Sequence, residues 1–135
     1  MRYSVSFEGA IRGEQVPQAD VVFFAEDDGS APLLAWLDGL PAKVQSKCIV
    51  RIERLAELGH ELRRPEADLL RDGIYELRAR QGTVQYRMLY FFHGGRAVLS
   101  HGCTKEEAVP PAEIDRALRN RARFEQDPQK HTYEE

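Results

Sequence analysis

Apolar and polar residues alternate most clearly between Leu69 and Lys105. From Val84 to His93, the residues Val84, Tyr86, Met88, Tyr90 and Phe92 interleave with Gln85, Arg87, Leu89, Phe91 and His93, a period of two that predicts a strand. Apolar content this high on both of its faces predicts the middle strand of a sheet. Gln81-Gly82 and Gly94-Gly95 read as two-residue hairpin loops, so the segment predicts three strands in a meander. Loops of that length place Glu76 opposite Arg87 and Arg87 opposite Gly102, with Arg78, Gln85 and Thr104 in the next row. Tyr75, Met88 and His101, then Leu77, Tyr86 and Cys103, fall on the other face. One face is expected to be core, and the other a polar, mostly cationic surface around Arg78 and Arg87.

Upstream, residues 3–7 alternate as a strand would, and 9–20 are turn-rich. The apolar run 20–25 predicts a strand, and Ser30 is placed to N-cap a short helix over 31–38. Val44, Cys48, Ile52, Leu55 and Ala56 recur at helical spacing and predict a helix over 42–59, with Gly59 at its C-terminal cap. Lys43, Lys47, Arg51 and Arg54 share a row on that helix; with Glu53, Glu57 and Glu61 nearby, they read as a solvated face. Residues 60–70 read as a linker. A last helix is predicted over 111–124, and 125–135 as a flexible tail. The order gives an α+β fold, with helices against one face of a small, largely antiparallel sheet.

At 135 residues the chain is expected to be one domain. No apolar run reaches the roughly 20 residues of a membrane span, and no signal pattern opens the chain, so a cytoplasmic protein is expected. Cys48 and Cys103 lack metal-ligand spacing and read as buried reduced thiols; no metal or cofactor is expected. The net charge of −3 conceals an asymmetry. Residues 1–42 hold two basic and seven acidic side chains, whereas 71–105 hold six basic against Asp72 and Glu76. A nucleic-acid partner is therefore possible through a local patch only.

The runs Leu70-Arg-Asp-Gly-Ile-Tyr-Glu-Leu-Arg78 and Tyr86-Arg-Met-Leu-Tyr90, with the strand ending near Lys105, resemble the RelE/ParE toxin superfamily. The likeness is greatest to its HigB-type, phage-derived branch, and it covers about residues 20–124, with 1–19 as an N-terminal extension. It implies a RelE-like fold, a twisted antiparallel-rich sheet with an N-terminal helical hairpin and a C-terminal helix. It also implies the toxin of a bacterial type II toxin–antitoxin system, a ribosome-dependent endoribonuclease that cuts mRNA and inhibits translation. The implied partners are a helix-turn-helix antitoxin, the ribosome and mRNA.

Arg87, Arg78, Lys105 and Glu76 match the family's catalytic positions, with Arg80, Gln85 and Thr104 beside them as RNA contacts. Attack by a 2′-hydroxyl needs a base, cations for the charge growing on phosphorus, and an acid for the leaving oxygen. Arg87 can bind phosphate through its planar fork, and Glu76 can orient it or act as base. Glu76 and Arg87 also fit a cross-strand ion pair that pins register, the less favoured of the two readings. Glu106 and Glu107 stand where a second basic residue is expected. They keep two alternatives open, a ParE-like gyrase inhibitor without catalysis and a catalytically decayed antitoxin-binding protein. His101 reads as a buried core histidine, and His60, His93 and His131 as surface residues.

Overall fold

A computed structural model describes residues 19–105 and 108–135. β1 (Asp20–Phe23) leads into α1 (Pro32–Asp38) and α2 (Ala42–Leu58), then a single 3₁₀ turn (Gly59–Glu61). The chain continues through β2 (Ala67–Arg71), β3 (Ile74–Gln81), β4 (Val84–His93) and β5 (Arg96–Lys105) to α3 (Pro111–Gln126). The strands form one twisted sheet in the order β1-β5-β4-β3-β2, antiparallel throughout except for the parallel pair β1 and β5. This is the RelE-like α+β arrangement, with β4 in the centre as its alternation predicts. The strand expected at 3–7 lies outside the described residues.

Helices cover both faces of the sheet, where one was expected. α1 buries Leu33, Leu34 and Leu37, and α2 buries the predicted stripe Val44, Cys48, Ile52, Leu55 and Ala56. These pack over Leu77, Ala79, Met88, Tyr90 and Leu99. On the opposite face Ile114, Ala117 and Phe124 of α3 cover Leu89, Phe91, Val98 and Cys103. Strands apolar on both sides need two covering layers. α3 reaches only part of its face, and the polar residues of β3 and β4 occupy the rest.

The register departs from expectation in three places. First, a fifth strand, β2, precedes the meander, joined to β3 by Asp72-Gly73, whose φ angles of 52° and 80° suit a two-residue hairpin. Second, the β3–β4 loop is Gly82-Thr83 rather than Gln81-Gly82, with Gly82 at φ 63° taking the first loop position. Arg78 therefore lies opposite Arg87, and Glu76 opposite Leu89. Third, Gly94-Gly95 does close the β4–β5 hairpin, but Ser100 is an extra residue between the pairs Tyr90↔Leu99 and Leu89↔His101. A bulge of one residue exchanges the two faces for everything beyond it. His101 and Cys103 thus join the face of Arg87, while Gly102 and Thr104 turn to the face covered by α1.

The cause of the bulge is visible on the α1 side. The Trp36 ring occupies the space a β-carbon at residue 102 would need, and its Nε1–H donates to Thr104 Oγ1 at 3.2 Å. Only glycine fits beneath the ring. Ala31, not Ser30, is the N-cap of α1; Ser30 donates instead to Asp28 in the preceding turn. The closing residues, expected to be a flexible tail, are tied to the sheet: α3 runs on to Gln126, Ala25 N–H donates to the His131 carbonyl, and Tyr133 N–H to that of Phe23. His131, expected at the surface, is buried, stacked on Phe24 and bonded to the Ala25 carbonyl.

Candidate functional site

The part of the sheet that α3 leaves open is built from alternate residues of β3 and β4. Glu76, Arg78 and Arg80 point the same way from β3, and Gln85 and Arg87 from β4. Two arginines directly across a ladder repel each other. Arg78 and Arg87 are held there by one carboxylate: Arg78 Nε donates to Glu76 Oε1 at 2.7 Å, and Arg87 Nη1 donates to the same oxygen. The Glu76 side chain is 2% exposed, Arg87 10% and Arg78 28%. The carboxylate is thus the floor of the site, and Arg78 is the more accessible of the two arginines that share it. Asp68 on β2 extends the array, accepting from Arg78 Nη2 at 3.2 Å and from Arg64 Nε at 2.9 Å.

The other expected site residues divide. Arg80 is exposed at the strand end, with its Nε donating to the Gly82 carbonyl at 2.8 Å, and Gln85 lies beside it. Lys105 pairs with Gln85, so the bulge that removes Thr104 brings residue 105 to the face of Arg87. The Lys105 side chain lies outside the described part of the structure, as do Glu106 and Glu107. Thr104, expected beside Arg78 and Gln85, is on the opposite face against Trp36.

A second polar cluster lies under α3; His101 is buried as expected, but its partners carry no local sequence signal. Asn120 Nδ2 donates to Ser100 Oγ at 2.9 Å, Ser100 Oγ lies 2.8 Å from His101 Nδ1, and His101 Nε2 lies 3.1 Å from Glu113 Oε1. Ser100 and His101 are fully buried. Burial pushes the His101 imidazole down to about 4; Arg116 adds to the effect and Glu113 opposes it. This cluster pins the bulge to α3 and is closed to a substrate. Among the described residues, no group of histidine, cysteine, aspartate and glutamate side chains could hold a metal ion. Both cysteines are buried thiols outside any disulfide, as predicted.

Comparison with known families matches residues 35–122 to the phage-derived protein Gp49-like family, a span that includes every residue of the open arginine face. The chain belongs to that family. Gp49-like proteins are a RelE/ParE-like toxin family of toxin–antitoxin systems. No curated protein matches the chain. The Gp49-like match begins inside α1 and ends inside α3, leaving out β1 and the docked residues 127–135. Among the described residues, no helix is long and apolar enough to cross a membrane.

Proposed function

We propose that this Gp49-like protein is the toxin of a type II toxin–antitoxin pair, of the HigB-like kind, and that it cleaves mRNA on the ribosome through the open face of β3 and β4. The observation that carries the reading is the opposed pair Arg78 and Arg87, two guanidinium groups sharing one buried carboxylate. Such an array holds two planar, multi-donor guanidinium groups rigidly on paired strands. A phosphodiester laid across it gains two charge-assisted contacts whose strength grows as the phosphorus takes on negative charge. In the cleavage step the 2′-oxygen attacks phosphorus as its proton passes to water. The P–O5′ bond breaks, the 5′-oxygen takes a proton from water, and a 2′,3′-cyclic phosphate remains. Glu76 orients both arginines. Arg80 and Gln85, with Lys105 on the same face, extend the track for neighbouring phosphates.

One feature favours a second reading. Glu76 Oε1 already accepts from two guanidinium groups, and the open face offers no other acid or base among the described residues except Asp68, itself engaged by Arg64 and Arg78. A toxin that only binds, as a ParE-like gyrase inhibitor does, needs no proton-transfer group. Induction in a bacterial host with mapping of mRNA 5′ ends separates the two. Growth arrest with codon-phased cuts, abolished by Arg87→Gln in a protein that still folds and binds its antitoxin, supports the nuclease. Arrest with DNA-damage signalling and intact mRNA identifies the inhibitor, and no arrest at all identifies a decayed, antitoxin-binding protein.

A further inference from the structure

Two large apolar side chains are prominently exposed among the described residues, Val50 at 49% and Leu69 at 53%, and both flank the same edge of the sheet. Val50 lies in a groove of about 330 Å³ between α2 and β3, with Ser46, Lys47, Arg51, Ala79 and Arg80. Leu69 lies in a groove of about 480 Å³ between the 3₁₀ turn and β2, with His60, Arg63, Arg64, Asp68 and Tyr75 around it. Tyr75 and Ala79 are four residues apart on one face of β3. The two grooves are therefore centred roughly 13 Å apart along the strand.

The charge along this edge is mostly positive: Asp68 pairs with Arg64 in the Leu69 groove, but three further cations have no such partner. Lys47 Nζ donates to the Arg80 carbonyl and to Gln81 Oε1, Arg80 Nε to the Gly82 carbonyl, and Arg63 Nη1 to the carbonyls of His60 and Leu62. All three cations rest on neutral oxygens, with no carboxylate among the described residues in ion-pair contact. Arg51 and Arg54 both pair with Glu66, and Arg54 also with Glu57. The row on α2 is more than a solvated face, because Lys47 and Arg51 cap the carbonyls of Arg80 and Arg78 where β2 has ended. That capping leaves no ladder for an added strand along residues 78–80, so an occupant must be read through its side chains.

We propose that this edge is the docking surface for an acidic segment of a protein partner, which seats one apolar side chain beside Val50 and another beside Leu69. An aliphatic groove ringed by cations fits apolar anchors flanked by carboxylates. The Val50 groove has no aromatic side chain on which an RNA base could stack. The inference deepens the partner side of the toxin reading and does not depend on RNA cleavage. A helical occupant covers about that distance on one face with anchors about seven or eight residues apart, and an extended one with anchors about four apart.

The test uses the full chain, isotope-labelled, and three probes: two 16-residue glutamate-rich peptides carrying leucines at those two spacings, and a single-stranded 12-nucleotide RNA. One peptide is expected to shift the amide resonances of Val50, Leu69, Tyr75 and Ala79, to lose at least tenfold in affinity with V50D and L69D, and to bind Arg87→Gln unchanged. Both substitutions are at exposed positions, and circular dichroism verifies the fold. Binding by neither peptide, binding insensitive to V50D and L69D, or RNA shifting these resonances in place of the peptides overturns the proposal.

Discussion

A β-carbon added to Gly102 would lie 2.0 Å from the Trp36 ring. Neither partner can yield easily, because Gly102 is in a paired strand and Trp36 on a helix docked to it. Gly102→Ala is therefore expected to lose about 1–3 kcal/mol in urea unfolding, the usual cost of overpacking. The loss should shrink in a Trp36→Leu background, and a double-mutant cycle showing no coupling would refute the contact. His101 makes a prediction of the same grain. Its folded pKa is held near 4 against 6.5 in the unfolded chain. Between those values the unfolded chain takes up a proton that the folded one refuses. Its contribution is complete above pH 6.5 and is lost as the pH falls toward 4, about 3 kcal/mol in all. Unfolding free energies measured across that window should slope accordingly, and His101→Gln should flatten the slope.

At the level of elements, most of the fold was legible. The stripe of α2 and the alternation of β4 are strong periodic signals, and the observed elements follow them closely. Pairing was harder. A glycine can take either position of a two-residue loop, so Gly82 alone could not separate Gln81-Gly82 from Gly82-Thr83. The Asp72-Gly73 turn was readable, but Ala-Asp-Leu-Leu-Arg before it lacks the alternation that marks a strand. Glu76, Arg78 and Arg87 came together despite the error, because a shift of two residues preserves the face. Thr104 did not, because the bulge at Ser100 depends on Trp36, far away in sequence. The docking of residues 127–135 was equally hidden, since it rests on backbone hydrogen bonds that carry no sequence pattern. Truncation after Asp127 removes His131 from Phe24 and three hydrogen bonds from Phe23 and Ala25. It should lower the melting temperature by several degrees and deprotect Phe23–Ala25 in hydrogen exchange; unchanged protection there would show that the tail contributes nothing.

For the molecule as a whole, the two thiols report on cooperativity. Cys48 lies between α2 and the sheet, where burial pushes its thiol up to about 12, and Cys103 lies under α3 on the opposite face. Neither layer can open alone without exposing the strands that both share. Labelling of the two cysteines by a thiol reagent should therefore proceed at one common rate set by global unfolding. Faster labelling of Cys103 would mean that α3 detaches as a separate unit.

The parallel pair β1 and β5 has a consequence in the order of synthesis. Asp20 meets Arg96, and Phe23 meets both Leu99 and the backbone of Tyr133, so the first described strand has no place until nearly the whole chain exists. At about 5–20 residues per second, β1 waits roughly 4–15 s for its partner strand to be made. A copy whose translation halts before that point lacks an edge of its sheet and the last tie across it. If finished molecules silence ribosomes, the copies then in progress are left as unfolded fragments. The dose is counted in completed chains.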